Sequence, residues 1–248
     1  MRGLMQGVVR ALALLLVALV SLQLYFVARV ALMRWVDPQS TTFQRSEWWR
    51  LSQGRAEPAH WSQQWVDDDR IAQSLERAVI ASEDAGFVEH SGIEWDAIER
   101  AWERNQRAQT IHDRRAARPG AKLRPVKLVG GSTITQQLAK NLFLSGERTL
   151  PRKAQEIMLT WTLEALLDKR RILEIYLNSV EWGEGIFGAQ AAARHYYHVD
   201  ASRLGTMAAA HLAVLLPAPK RFERNPGSAY VSGRAATIAA RMDDVELP

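Results

Sequence analysis

Residues 130–143 read GGSTITQQLAKNLF, a stretch in which polar residues give way to an apolar helical pattern. The two glycines permit close backbone approach and unusual dihedral angles. The pattern predicts a helix from near Ser132 to Leu144, with its first N–H groups available to an anion. Lys140 lies one turn after Gln136 on the same face. The density of hydroxyls and amides therefore indicates a polar or anionic ligand at the start of this helix.

The composition narrows the class of protein. A chain of 248 residues suits one domain or two small ones. Cysteine is absent, which excludes a disulfide framework, a thiolate nucleophile and a cysteine-ligated metal. The net charge is +5, and basic residues concentrate between residues 100 and 127. This segment suits either an anionic partner or a solvated loop.

The N-terminus carries an uncharged apolar run at residues 11–28, in which only Ser21 and Gln23 are polar. Its length is near the lower limit for a helix that spans a bilayer. A cleaved signal peptide has a shorter apolar region, about 7–15 residues, and ends in a small-residue cleavage site. We therefore predict an uncleaved membrane anchor at residues 1–35. Basic residues flank both ends, so charge leaves the orientation open. The tryptophans that follow suit either the membrane interface or packing on the domain: Trp35, Trp48, Trp49, Trp61 and Trp65.

The remainder reads as a connector followed by a helical domain. Residues 36–66 show little periodicity and are predicted to connect the anchor to a domain at 67–248. Asp67, Asp68 and Asp69 offer an N-cap to a helix that ends at Glu83 and Asp84. Its apolar face is expected to hold Ile71, Leu75, Ala78 and Val79. Further helices are predicted from Trp95 to about Ala108, after Pro151, and at 169–180, 189–197, 206–216 and 229–242, with a loop at 109–127. No convincing alternating strands occur, so the predicted fold is mainly α.

Two groups of residues suggest chemistry before any resemblance is considered. Glu83 and Asp84 lie where an apolar helix face ends, and partial burial raises the pKa of a carboxyl group enough for acid–base work near neutral pH. The alternative is a surface Glu83 beside a turn-capping Asp84. Arg152 and Lys153 precede Glu156 by four and three residues, so all three share a helix face. An exposed ion pair would explain that spacing equally well.

Five stretches in this order resemble the successive motifs of the peptidoglycan glycosyltransferases (glycosyltransferase family 51), membrane-bound enzymes that polymerise lipid II. They are EDAGFVEHSGI at 83–93, GGSTITQQLAKNLFL at 130–144, RKAQEIMLTWTLE at 152–164, KRRILEIYLN at 169–178 and GEGIFGAQAAARHYY at 183–197. The resemblance implies a mainly α, lysozyme-like helical glycosyltransferase domain with an N-terminal transmembrane helix. It is to the monofunctional biosynthetic form, because no Ser-x-x-Lys stands anywhere to supply a transpeptidase nucleophile.

The resemblance also implies roles for individual residues. Glu83 matches the general base, which takes the proton from the 4-hydroxyl of the lipid II GlcNAc, and Glu156 matches a second carboxylate on the donor side. The donor is an undecaprenyl-pyrophosphate-linked glycan. The transfer inverts the configuration of its anomeric carbon and forms a β-1,4 linkage. Pyrophosphate-holding positions match Lys140, Arg148, Arg152 and Lys153, and positions lining the cleft match Ser132, Gln136 and Gln137. The same motifs contain Asp84, His90, Asn141 and Asn178.

One departure from the family pattern concerns the segment after His90. The family places an aspartate two residues after the glycine that corresponds to Gly92. Here Glu94 stands at that position and Asp96 follows. Which of the two takes the structural role of the family aspartate stays open at the level of sequence.

Cofactor, partners and location follow from the same resemblance. Some relatives use a divalent metal, Mg²⁺ or Mn²⁺, but the sequence shows no dedicated metal site and no cofactor is certain. Expected partners are lipid II, the lipid-linked glycan, the membrane, and cell-wall synthesis or division proteins, and no nucleic acid. The expected location is the bacterial cytoplasmic (inner) membrane, single-pass, with the catalytic domain in the periplasm.

Two rival functions remain at this stage. A lytic transglycosylase or lysozyme-type enzyme also needs one essential glutamate in a helical domain. It would need neither a pyrophosphate-holding cluster nor an anchor tied to a lipid substrate. A catalytically inactive membrane-anchored scaffold for cell-wall assembly would keep the anchor without using Glu83 as a base.

Overall fold

The structure is a computed structural model that describes residues 2–53, 60–116, 130–147 and 149–248. Arg148 and most of the predicted loop at 109–127 lie outside these ranges. Eleven α-helices and three short strands are present in the described part of the chain. The predicted mainly α fold is confirmed.

The first helix, α1 (Arg2–Leu32), is the predicted membrane anchor. Its segment Gly3–Leu32 is long and apolar enough to cross a bilayer, and the most apolar part has no buried residue. Only its C-terminal end contacts the rest of the protein. There Phe26 meets Phe143 edge-on at 5.3 Å between ring centroids, and Val30 is fully buried. The anchor therefore leaves the domain from a packed base.

Helix α2 (Thr42–Ser52) lies inside the predicted connector, so the expectation of little regular structure there is wrong. Thr41 and Gln44 form a reciprocal capping box at its start. Gln44 Nε2 also donates to Ser179 O at 3.2 Å, and Thr42 Oγ1 donates to Leu142 O at 2.9 Å. Sequence periodicity missed α2 because this short helix buries only Gln44 and Leu51 and so has no apolar stripe.

The tryptophans after the anchor differ in their exposure. Trp35, Trp48 and Trp49 are exposed. Trp61 instead lies against Phe187, with ring centroids 4.7 Å apart, and Trp65 packs against the core.

Helix α3 (Gln73–Glu83) carries the first motif glutamate at its last position. Leu75, Ala78 and Val79 are fully buried, so the predicted apolar face is confirmed. The predicted aspartate N-cap is wrong. The aspartates form a separate 3₁₀ turn (Asp68–Arg70), and α3 starts after Ala72 without a side-chain cap.

Helix α4 (Trp95–Ala116) is longer than predicted and extends into the segment expected to be a loop. Ala101 is its one buried residue, while Trp95 and Trp102 are each 65% exposed. The helix therefore projects from the core, and its apolar spacing does not translate into burial.

The remaining helices enclose the core. They are α5 (Ile134–Phe143), α6 (Leu150–Leu166), α7 (Lys169–Ser179), α8 (Ala189–Tyr197), α9 (Thr206–Leu215), α10 (Pro219–Phe222) and α11 (Ala229–Ala239). Helix α5 packs against α2, α6 and α7, and α9 packs against α3 and α11. The predicted start of α6 is confirmed, with Pro151 in its first turn.

A small sheet joins the connector to the domain. Its order is β1–β3–β2, with β1 (Ser62–Gln63) parallel to β3 (Ile186–Phe187) and β2 (Glu181–Gly183) antiparallel to it. Strands of two and three residues are too short for alternation, which explains why the sequence did not reveal them. Gly185 has a φ of +76°, and a Cβ there would lie 2.1 Å from His60 O. Only glycine fits this turn.

Candidate active site

Glu83 lies at the C-terminal end of α3 and faces α5. Gln137 Nε2 donates to Glu83 Oε2 at 3.0 Å, and Ser82 Oγ contacts Oε1 at 3.5 Å. Burial raises the pKa of Glu83 above its ordinary 4.5, although the hydrogen bonds from Gln137 and Ser82 oppose this shift. A carboxylate in this state is a stronger base than an exposed one and suits proton abstraction near neutral pH.

Tyr176 on α7 fixes the amide that contacts Glu83. Its hydroxyl donates to Gln137 Oε1 at 3.1 Å, which directs the Gln137 NH₂ group towards the carboxylate. Burial, and then the charges of Glu83 and Asp84, raise the pKa of Tyr176 well above its ordinary value, so the phenol stays protonated. Sequence reasoning missed Tyr176, because an aromatic residue in an apolar helix is read as core.

Asp84 joins the end of α3 to the start of α5. It is 4% exposed, and its two oxygens accept from Ile134 N and from His90 Nε2, each at 2.9 Å. His90 Nδ1 accepts from Gly92 N at 3.1 Å, which assigns the ring hydrogen to Nε2. Thr133 Oγ1 donates to Gly92 O at 2.6 Å. Asp84 and His90 therefore position the site.

The N-terminus of α5 is closed by side chains rather than open to an anion. Thr133 N donates to Gln136 Oε1 and Gln136 N to Thr133 Oγ1, each at 3.1 Å, while Ile134 N is held by Asp84. The expectation that free N–H groups here bind an anion is wrong. Gln136 is 1% exposed, and its side-chain amide oxygen accepts the hydrogen bond of this cap. It therefore supports the wall of the site from behind rather than lining it.

A first cavity, the α4-side cavity, has a volume of about 160 Å³ and opens beside Glu83. Ser132 and Glu94 line it, while Asp96 is exposed outside it. Arg100 Nη2 donates to Glu94 Oε1 at 2.5 Å. A Cβ on Gly131 would lie 2.8 Å from Ala97 O, so this glycine allows the loop to approach α4. Of the two candidate carboxylates, Glu94 is the one at the site.

A second cavity, the α6-side cavity, has a volume of about 310 Å³. Its polar lining includes Gln137, Lys140, Asn141, Arg152 and Glu181. The first four were predicted from sequence, and Glu181 was not. Because Gln137 both contacts Glu83 and lines this cavity, Glu83 lies between the two cavities.

Helix α6 presents an ordered cluster of charges beside the second cavity. Glu156 is 3% exposed and accepts from Arg152 Nη1 at 2.8 Å and from Lys153 Nζ. An exposed ion pair is therefore the wrong interpretation of this spacing. The buried carboxylate fixes two cations on one helix face.

Asn178 lies away from both cavities. It is fully buried, donates to Val66 O and accepts from Val66 N, each at 2.9 Å. Its role in the structure is to tie the connector to α7. Lys153 does not line either cavity, and Arg148 is outside the described residues.

A resident metal does not fit the donor set seen here. No group of three or more His, Asp or Glu side chains suited to hold an ion occurs within residues 2–53, 60–116, 130–147 and 149–248. Glu83 and Glu94 do not form such a group.

Comparison with known proteins agrees with this geometry. A family model described as Transglycosylase matches residues 52–243. Proteins named biosynthetic peptidoglycan transglycosylase are similar to this chain. The one from Burkholderia orbicola is 51% identical over 91% of this chain and 85% of its own length. The one from Paraburkholderia phytofirmans is 50% identical over 95% of this chain and 91% of its own length. The one from Burkholderia vietnamiensis is 48% identical over 99% of this chain and 94% of its own length. The motif resemblance is confirmed, and the chain belongs to the transglycosylase family.

Proposed function

We propose that this chain is a membrane-anchored peptidoglycan glycosyltransferase that polymerises lipid II into β-1,4 glycan strands. The observation that carries the proposal is Glu83, a carboxylate with a raised pKa, held between two cavities by Gln137. Family membership and the names of the relatives give the reaction class.

In the proposed reaction, the acceptor GlcNAc occupies the α4-side cavity and gives its 4-hydroxyl proton to Glu83. The freed oxygen forms a bond to the anomeric carbon of the donor sugar. The bond between that carbon and the pyrophosphate oxygen breaks, and undecaprenyl pyrophosphate leaves from the opposite face with the bonding electrons. An α-linked donor thus becomes a β-linked product, and the proton remains on Glu83 until water removes it.

The donor pyrophosphate is assigned to the α6-side cavity and its rim. Lys140 and Arg152 line this cavity, and Lys153 follows on the same helix. Fixed cations stabilise the charge that develops on a leaving pyrophosphate. Glu156 holds Arg152 and Lys153 in place, so its role is electrostatic positioning on the donor side. Arg148 keeps its proposed role as a further pyrophosphate ligand.

The same cations separate this function from that of a glycan-cleaving enzyme. A lytic enzyme breaks a bond between two sugars and has no pyrophosphate to hold. The cluster of Lys140, Arg152 and Lys153 next to the base therefore favours a lipid-pyrophosphate donor.

The anchor is proposed to hold the domain at the periplasmic face of the inner membrane as a single span. Leu150, Met158 and Trp161 on α6 are exposed, and α1 packs against α6. These apolar side chains support a bilayer surface running along α6.

We keep the division into an anchor at 1–35, a connector at 36–66 and a catalytic domain at 67–248. Cell-wall synthesis or division proteins are its proposed protein partners.

Polymerisation of lipid II in detergent or vesicles tests the function directly. We expect strand formation by the full chain and a loss of about 10²- to 10⁴-fold for Glu83→Gln, because general-base catalysis contributes about that much. Glu99→Gln, on the exposed side of α4, is the matched control and should keep the full rate. Cleavage of preformed glycan without polymerisation would contradict the proposal, and a fully active Glu83→Gln would remove Glu83 as the base.

A further inference from the structure

Two buried polar atoms at the α6-side cavity lack hydrogen-bond partners among the described residues. They are Arg152 Nε and Glu181 Oε1. Glu181 is 6% exposed, and its nearest cation, Lys220 Nζ, stands 3.4 Å from Oε1. An unsatisfied buried donor or acceptor destabilises a protein unless a ligand completes it. Arg152 and Glu181 both line the α6-side cavity, so its wall contains one donor and one acceptor with unused hydrogen-bonding capacity.

Lys220 is shared between Glu181 and a second carboxylate, so its charge does not serve Glu181 only. Its ammonium group also pairs with Glu47, which in turn pairs with Arg50 at 2.8 Å. Burial raises the pKa of Glu181 to about 7, partly opposed by the charge of Lys220. The carboxylate is thus poorly solvated and retains hydrogen-bonding capacity.

The lining of this cavity also has a large apolar part. It consists of Phe43, Leu144, Val180, Leu216 and Pro219. A phosphate group gains nothing from such a wall, and it would be repelled by an ionised Glu181 at short range. The end of the cavity near Glu181 therefore suits an uncharged group with both polar and apolar parts.

An acetamido group has the required chemistry. Its N–H suits the carboxylate of Glu181, its carbonyl oxygen suits the donors of Arg152 or Asn141, and its methyl group suits the apolar wall. The volume of about 310 Å³ is at the small end of ligand pockets, about 300–1,000 Å³. It accommodates one sugar with its substituent better than a disaccharide.

We propose that Glu181 is a substrate-binding residue that recognises the acetamide N–H of the sugar joined to the donor pyrophosphate. This inference rests on the proposed function and adds a specificity determinant to it. Arg152 then has two roles: its Nη1 binds Glu156, and its Nε, which has no partner among the described residues, is the donor proposed for the substrate. The α6-side cavity selects N-acetylated donors, and the cations at its rim bind the adjoining pyrophosphate.

The test uses a single transfer to ordinary lipid II from two synthetic donors. Both donors are lipid II capped at the GlcNAc 4-hydroxyl, so neither serves as acceptor. In one of them an oxygen replaces the acetamide nitrogen of the pyrophosphate-linked sugar, which removes the N–H and keeps the carbonyl and methyl groups. Assays at about pH 8.5 keep Glu181 ionised, since this is above its pKa.

We expect the full-length wild-type enzyme to lose about tenfold in kcat/KM with the ester donor, the effect of one hydrogen bond to a charged group. Glu181→Ala should lose about tenfold with the amide donor and nothing further with the ester. The kcat/KM of Glu181→Gln with the amide donor should lie between those of wild type and Glu181→Ala, because its amide oxygen still accepts a hydrogen bond. This conservative variant guards against a folding defect. An equal ester penalty in wild type and Glu181→Ala would overturn the proposal.

Glu184→Ala is the matched control, because this carboxylate sits on the same hairpin but pairs with Arg50 at 3.0 Å. Its ester penalty should equal that of wild type. Inhibition by inorganic pyrophosphate supplies a second arm. If Glu181→Ala strengthens that inhibition tenfold while keeping the ester penalty, pyrophosphate occupies the end of the cavity near Glu181 and the proposal is wrong. A wild-type enzyme that transfers neither donor would contradict the proposed function as well.

Discussion

Three residues from three helices decide the state of the carboxylate that we propose as the general base. Glu83 closes α3, Gln137 lies on α5 and Tyr176 on α7, and two hydrogen bonds of 3.0 and 3.1 Å connect them. Since the amide of Gln137 has one donor side and one acceptor side, the phenol determines which side meets Glu83. Tyr176 is thus a positioning residue for the base.

Tyr176→Phe tests this arrangement with little change of shape. Without the hydroxyl, the Gln137 amide is no longer fixed, and Glu83 loses an oriented donor that lowers its pKa. We expect kcat/KM at neutral pH to fall about three- to tenfold, the effect of one hydrogen bond. The acidic limb of the pH–rate profile should move to higher pH. A slower enzyme with an unmoved limb would indicate a purely structural effect.

Glu83 also links activity to stability through pH. Its pKa in the folded protein is above the ordinary 4.5, so the folded state binds the proton more tightly than the unfolded state. The free energy of unfolding therefore falls as the pH rises from about 4.5, the ordinary pKa, through the raised pKa of the folded state. Catalysis requires the ionised carboxylate, so kcat/KM should rise through the same interval.

Glu83→Gln should consequently be inactive yet more stable at high pH. We expect its melting temperature to exceed that of wild type at about pH 8 and to match it at about pH 4, where both states of wild type are mostly protonated. Thermal unfolding across pH measures the difference. A lower melting temperature for the variant at pH 8 would contradict the burial of an unfavourable charge.

At the scale of the element, the start of α5 determines the geometry of the site. The N–H groups of Thr133, Ile134 and Gln136 donate to the side chains of Gln136, Asp84 and Thr133, respectively. The same residues carry the loop that brings Ser132 to the α4-side cavity. Capping and site formation are therefore one structural event.

Thr133→Ala should lower both the stability of the protein and its activity. The loss of an N-cap typically costs about 1 kcal/mol of stability, and here the hydrogen bond to Gly92 O is lost as well. We also expect reduced kcat/KM, because Ser132 and Gln137 are no longer fixed relative to Glu83. Ser228→Ala removes the N-cap of α11, away from both cavities, and should lower stability without changing kcat/KM. Equal kinetic losses in the two variants would argue against a special role of this cap.

At the scale of the whole molecule, the anchor is docked on the catalytic domain. Gln23, one of two polar residues in the apolar run, exchanges hydrogen bonds of 2.8 and 3.2 Å with Gln155. Gln155 precedes Glu156 on α6. The anchor therefore sets the position of the donor side relative to the bilayer.

A pair of introduced cysteines tests this docking in the full chain, which has none of its own. Gln23→Cys with Gln155→Cys should cross-link through a short bifunctional maleimide in membranes and still polymerise lipid II. The control pair Val9→Cys with Gln155→Cys should not react, because position 9 lies about 21 Å further along α1 at 1.5 Å per residue. Cross-linking that abolishes activity would show that the docked anchor is not the active arrangement.

Most helices could be predicted from sequence because their signals are local. Pro151 fixes the start of α6, and the spacing of Leu75, Ala78 and Val79 fixes the buried face of α3. The failures share one cause. Helix α2, the strands around Gly185 and the exposed side of α4 all depend on contacts with distant segments, which periodicity does not record.

The sequence by itself determined the family, an N-terminal helix long and apolar enough to cross a membrane, and the positions of Glu83, Gln137, Lys140 and Arg152. Motif order and apolar length are properties of the chain. Only the tertiary structure decided what each residue does. Gln136 and Gln137 are neighbours in sequence, but one closes a cap and the other contacts the base. Glu181 entered the site, and Glu83 acquired its raised pKa, because burial and cavity shape arise from the packing of distant helices.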